Sequence, residues 1–180
     1  MPSGMTGGGS RFAWKQRVKR KASTAMTANL TVRIQEADFD VAREIAALAK
    51  DRTDIGAVVS FSGICRGKDD GESIAALTLE HYPGMAEAEI TRHANEAMAR
   101  WPLNGLTIIH RVGRITPGEN IVLVVTASSH RQAAFHAAEF LMDYLKTSAP
   151  FWKREERDAG TSWVEARAHD DDAAARWTKS

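Results

Sequence analysis

Two apolar, β-branched runs, Leu106 to Arg111 and Ile121 to Ala127, are joined through Thr116-Pro117-Gly118-Glu119 and run on into a long helical pattern. A connection that short favours antiparallel pairing, because a parallel pair needs a crossover of a dozen or more residues. The helix spans His130 to Lys146, with Ala134, Ala137, Ala138, Leu141 and Leu145 on its buried face. The same unit occurs upstream. Ala57 to Arg66 and Ile74 to Tyr82 read as strands, Pro83-Gly84 turns the chain, and Met85 to Arg100 carries an apolar stripe through Ile90, Ala94 and Ala97. Gly63 marks a bulge or close approach, and Gly67 to Ser73 reads as a mobile loop.

Before these units, Leu30 to Gln35 alternates as a half-buried strand, and Asp38 or Asp40 can cap a helix through Val41, Ile45 and Leu48. A last short strand is expected at Ser162 to Ala166. The order βα, ββα, ββα and β predicts an α+β fold with mostly antiparallel strands and three main helices.

The charge distribution divides the chain. Residues 1–28 hold six basic residues and no acid, whereas the remainder holds 18 basic against 23 acidic residues. We therefore read 1–28 as a basic N-terminal extension and 29–180 as one domain. The extension lacks the apolar segment of a secretory signal. It reads either as a disordered tail or as an over-long start, with Met26 the first residue of the functional chain. An acidic body argues against a nucleic-acid partner, and no apolar run is long enough for a membrane span. A lone cysteine, Cys65, excludes an internal disulfide and fits a reducing compartment, so a cytoplasmic location is expected.

Candidate chemistry gathers around the last helix. Across its C-terminus, Asp143 to Glu155 sets Lys146, Lys153 and Arg154 among Tyr144, Leu145, Phe151 and Trp152, on either side of Pro150. A desolvated lysine favours its neutral form, which can act as base or nucleophile, and such a cluster suits an anionic substrate. A helix end complementing its dipole, followed by a solvated turn, fits the same residues. At the other end, Ser128-Ser129-His130-Arg131 places cations at a helix N-terminus with no acid in the first turn. Either an anion binds there or a solvated pair tolerates a small penalty. The two ends of this helix lie about 24 Å apart by the rise per residue. They can share a small substrate only if the post-proline segment folds back or a second copy of the chain completes the site, which favours a dimer. No phosphate-binding glycine loop or paired-histidine metal motif occurs, and Cys65 beside Arg66 reads more readily as a small buried residue than as a thiolate nucleophile.

From about Val32 to Trp177 the chain resembles the large, catalytic subunit of molybdopterin synthase, the MoaE family. The resemblance rests on Leu77 to Met85 (LTLEHYPGM), Ile109-His110-Arg111-Val112-Gly113, Ser129-His130-Arg131, Asp143 to Glu155 and Trp163 to Arg167. It implies an α/β-hammerhead-like α+β domain and a homodimer within a heterotetramer. The partner would be a small ubiquitin-like sulfur carrier of the MoaD type, whose C-terminal Gly-Gly thiocarboxylate enters the active site. The implied reaction adds two sulfurs to cyclic pyranopterin monophosphate (precursor Z), forming the dithiolene of molybdopterin, with no cofactor required.

The resemblance also implies roles for positions in this sequence. Lys146 and Lys153 match the family's active-site lysines, Lys146 as the main catalytic group and Lys153 as the group that orients substrate. Ile64, Cys65, Arg66, His130, Arg131, Arg154, Glu155 and Arg167 fall at substrate-binding positions, and Phe61 at the carrier tail. The loop after Arg66 departs from the family pattern. A non-catalytic pterin- or phosphate-binding scaffold of the same fold is the alternative, and retention of both lysines argues against it.

Overall fold

The structure, a computed structural model, describes residues 28–69, 71–147, 149–157, 160–164 and 176–179. In chain order the elements are β1 (Asn29–Gln35), α1 (Val41–Ala49), β2 (Ala57–Ile64), β3 (Lys68–Asp69), β4 (Glu72–His81) and α2 (Met85–Arg100). There follow β5 (Leu103–Arg111), β6 (Gly113–Ile115), β7 (Asn120–Ser128), α3 (Arg131–Thr147), β8 (Phe151–Arg157), β9 (Gly160–Val164) and a 3₁₀ turn at Arg176–Lys179. The fold is α+β, with three α-helices and mostly antiparallel strands, as expected. The basic segment before residue 28 and Arg167 lie outside the described residues.

β5 and β7 pair antiparallel, with Ile108 opposite Val124 and Ile109 opposite Leu123, and they form the centre of a sheet ordered β1-β5-β7-β2. Both strands read as continuous apolar runs because helices cover both of their faces. On one face, Leu106, Ile108 and Val124 pack against Ile90, Ala94 and Ala97 of α2 and Ala137, Phe140 and Leu141 of α3. On the other, Ile109, Leu123 and Val125 pack against Phe39 and Leu48. Each large apolar side chain removed from water here contributes about 2 kcal/mol.

Local signals set the boundaries. Asp40, rather than Asp38, caps α1, its Oδ1 accepting from the Arg43 amide at 3.0 Å. Glu87 accepts from the Gly84 amide at 2.8 Å and ties down the start of α2. The expected bulge occurs in β2, where the register against β7 shifts between Gly63 and Ile64.

Three features differ from expectation. β1 joins β5 in parallel, the exception to the antiparallel pattern. The Gly67–Ser73 loop contains a two-residue strand, β3, that turns back on β4. The segment after Pro150 is neither helix end nor solvated turn but the strand β8, antiparallel to β4 in a second sheet ordered β3-β4-β8-β9, with β6 also on β4. No helix among the described residues is long and apolar enough to cross a membrane.

Candidate active site

The two sheets meet beside the C-terminal end of α3 and enclose a cavity of about 780 Å³. β2 supplies Phe61 and Ile64, both with exposed side chains, and the bulge at Gly63 redirects the chain so that Cys65 and Arg66 follow along the same wall. Glycine suits the bulge: a Cβ on Gly63 would lie 2.7 Å from Cγ1 of Val122, which would have to shift. Cys65 is 4% exposed and its thiol lies 3.8 Å from the Ile115 carbonyl. Burial pushes the Cys65 thiol up, against the pull of the Lys153 charge, which disfavours the thiolate. The Arg66 guanidinium stays largely exposed and pairs with the buried carboxylate of Asp69 at 2.8 Å.

α3 and β8 supply the lysines. Lys146 is in the last turn of α3, and Lys153 is the third residue of β8, opposite Leu79 of β4. The turn through Ala149 and Pro150 reverses the chain, so residues from a helix and a strand reach one cavity. Lys146 is exposed and has no ion pair among the described residues, so the burial expected of it is not supplied by the single chain. Lys153 differs: its side chain is 36% exposed and its Nζ lies 2.8 Å from Oε1 of Glu155.

Glu155 is itself only 1% exposed. Its second oxygen accepts from Arg157 at 2.6 Å, and Arg157 also pairs with Glu72. Burial raises the Glu155 carboxyl, but the bonds from Lys153 and Arg157 outweigh it and hold the group below the usual range. Glu155 lines the cavity, yet its carboxylate is already engaged on both sides. It positions Lys153 more readily than it could bind a substrate.

Strand alternation separates the rest of the basic segment. Lys153, Glu155 and Arg157 share one face of β8, so Arg154 falls on the other and does not line the cavity. The expected binding role of Arg154 is therefore not supported by its place within one chain. His130 and Arg131 are exposed, without an ion pair among the described residues, and lie at the far end of α3 from Lys146, away from the cavity. Ser129 donates to the Asp54 carbonyl at 2.9 Å; Ser128 donates to the Pro102 carbonyl at 2.8 Å while its oxygen accepts from the His130 amide at 3.3 Å, so both hydroxyls anchor the turn into α3. Of the residues named from sequence, the cavity thus collects Phe61, Ile64, Cys65, Arg66, Lys146, Lys153 and Glu155.

Two lining groups were not singled out from the sequence. Phe151 covers one side of the cavity, and its ring stacks on His110 of β5 with centroids 4.1 Å apart. The signal for His110 was a lone histidine interrupting a buried β-branched strand. A separate cavity of about 790 Å³ between α2 and α3, bordered by Glu89, Arg92, His93 and Tyr144, holds none of the residues given a catalytic or binding role from sequence.

A family model described as MoaE protein matches residues 34–148, more than half of the chain. The chain belongs to the MoaE family. The family match runs from within β1 through α3, and so includes Arg66, His130, Arg131 and Lys146, while Lys153 lies past its end. The chain is similar to the molybdopterin synthase catalytic subunit of Mesorhizobium japonicum, 67% identical over 152 residues that cover 83% of this chain and 94% of that one. Among solved structures it resembles a molybdopterin biosynthesis MoaE protein from Burkholderia ambifaria, with a TM-score of 0.71, 49% identity and coverage of 83% and 98% of the two chains. A Helicobacter pylori chain, from a complex of subunits 1 and 2 of molybdopterin-converting factor, matches with a TM-score of 0.60, covering 77% of this chain and 91% of its own. At 22% identity that last likeness is to the MoaE fold alone.

Proposed function

We propose that this chain is the catalytic subunit of a molybdopterin synthase. It would transfer two sulfurs from the thiocarboxylated C-terminus of a small ubiquitin-like carrier to cyclic pyranopterin monophosphate, forming the dithiolene of molybdopterin. The observation that carries this reading is the convergence of Lys146 and Lys153 on one cavity in a member of the MoaE family. The identity to molybdopterin synthase catalytic subunits supports it.

In this reading the sulfur arrives on the partner, so the chain needs no nucleophilic thiol of its own and Cys65 remains a wall residue. Phe61, exposed on the cavity wall, would contact the carrier tail, and Ile64, exposed beside it, the substrate. Lys146 would act at the reacting carbonyl or as general acid–base, and the tail would supply the desolvation that the single chain lacks. Lys153, fixed by Glu155, would orient the pterin and stabilise charge that develops during transfer. Arg66 would meet the substrate's anionic group.

His130 and Arg131 would reach the pocket from a second copy of the chain, in a homodimer within a heterotetramer. Their separation from Lys146 along α3 and the absence of an acid in the first turn of α3 favour this arrangement. The test is to combine purified chain, thiocarboxylated carrier and precursor, and to assay molybdopterin. The reading is lost if no product forms while an authentic synthase succeeds with the same carrier and precursor.

A further inference from the structure

The cavity is rich in hydrogen-bond donors. Lys146, Lys153 and Arg66 only donate, and the one carboxylate on its wall, Glu155, is engaged by Lys153 and Arg157. A reduced pterin ring also carries N–H and amino donors along its edge. A site that holds such a ring by hydrogen bonds needs an acceptor as well as cations.

His110 has that chemistry. It sits in the middle of the first sheet, between Ile34 of β1 and Val122 of β7, and is 7% exposed while lining the cavity. Its Nδ1 lies 2.8 Å from the Arg111 carbonyl oxygen. A carbonyl only accepts, so Nδ1 carries the hydrogen and, in the neutral ring, Nε2 holds the lone pair. Burial pushes the imidazole down to about 4, partly opposed by the Arg111 carbonyl and reinforced by His81, so the ring is neutral near pH 7. The one hydrogen bond of the ring among the described residues is this bond at Nδ1. Phe151 covers a ring face at an interplanar angle of 19°, and His110 lines the cavity beside it.

We infer that His110 is a specificity-determining residue, its Nε2 accepting a hydrogen bond from an N–H or amino group of the pterin ring. The inference rests on the proposed synthase function and adds to it the group that reads the heterocycle, as distinct from its phosphate. The tautomer lock makes the role specific. A ring protonated at Nε2 would repel the same donor, and the Arg111 carbonyl excludes that tautomer in the neutral ring.

The test is ¹⁵N NMR of the histidine-labelled full chain, titrated with precursor, alongside steady-state kinetics of His110→Phe. The free protein should show His110 as the Nδ1–H tautomer, and saturating precursor should move its Nε2 resonance. His110→Phe preserves an aromatic ring against Phe151 and removes the acceptor. Its KM for the precursor should rise roughly tenfold, with the KM for the carrier and kcat little changed. If the variant does not fold, the titration of the unsubstituted protein decides alone. An Nε2 resonance that precursor leaves unmoved overturns the inference, as does one moved by Lys153→Ala instead, which would assign the atom to lysine positioning. Turnover by the unsubstituted chain keeps these outcomes separate from failure of the synthase reading.

Discussion

Lys153 and Glu155 lie two residues apart on one face of β8, joined by a 2.8 Å ion pair whose carboxylate is almost wholly buried. The pair restrains a flexible lysine stem, and the bond from Arg157 to the other Glu155 oxygen restrains the carboxylate in turn. Removing the middle carboxylate takes from Lys153 the partner that holds it and leaves Arg157 with Glu72 alone. Glu155→Gln should cost about 3 kcal/mol of stability, as breaking a buried pair does. Its kcat should fall well beyond what the fraction folded explains. Denaturant unfolding and turnover of the same preparation check both, and full kcat in the folded variant would remove Glu155 as a positioning residue.

Lys146 is expected to behave in the opposite way. It is exposed and has no ion pair among the described residues, so Lys146→Ala should change stability by no more than about 0.5 kcal/mol. Turnover should drop by about 10²–10⁴-fold if the amine is the general acid–base. Carrier binding, measured by calorimetry, should remain close to that of the unsubstituted chain. Substantial activity in this variant would transfer the catalytic role elsewhere.

A composite site predicts rescue between defective subunits. Lys146→Ala and His130→Ala chains should each be inactive, and an equal mixture allowed to exchange subunits should regain roughly a quarter of normal activity, because half the dimers then carry one intact site. Activity that never rises above that of the separate variants would place both residues in the same chain's site, or His130 outside it.

Gly56 controls the turn that carries His130. A Cβ there would lie 2.4 Å from the Ser129 carbonyl oxygen, and the Gly56 amide donates to the Ser128 carbonyl at 3.0 Å. Gly56→Ala should therefore cost about 2 kcal/mol through forced displacement of backbone. Its activity should fall further than that of a surface substitution of equal stability. Urea midpoints and turnover measured together distinguish a displaced turn from simple loss of folded protein.

Two histidines should make the fold sensitive to mild acid. Burial pushes both His110 and His93 down from 6.5 to about 4, with the Arg92 charge adding to the effect on His93. Between those values the unfolded chain binds protons that the folded chain refuses, so stability is full above about pH 6.5 and declines as pH falls towards 4. Each contributes about 3 kcal/mol over the whole window. Urea unfolding from pH 7 to pH 5 should show the decline, and His110→Phe should make it shallower. An unchanged slope would mean that His110 titrates normally. Carboxylates held low, such as Glu155, enter only below about pH 4.5.

The central elements were legible because their patterns repeat and their turns are short. β7 and α3 announce themselves through Val122 to Val125 and the alanine-rich face of the helix. β8 does not. Phe-Trp-Lys-Arg-Glu-Glu-Arg has no apolar–polar alternation, because one face lines a charged cavity and the other meets surface ions such as Arg114, bound to Glu156 at 2.9 Å. The parallel pairing of β1 with β5 also escaped prediction, since their order in the sheet depends on everything between them. In the site, residue types located the lysines, but alternation along a strand not read from the sequence separated Arg154 from Lys153. His110 stayed hidden within an apolar run because its function depends on which ring nitrogen the backbone engages.

The turn at Pro150 imposes a rule of parity. Lys146 belongs to a helix with a period near 3.6 residues, and Lys153 to a strand with a period of two. One residue added between Pro150 and Lys153 would swing Lys153 to the outer face of β8 and bring Trp152 inward, with every amino acid retained. Two added residues would restore the facing and displace the lysine along the strand by about 7 Å. The number of residues in that short link therefore carries as much chemical information as their identities, and drift in its length would silence the site with both lysines still in place.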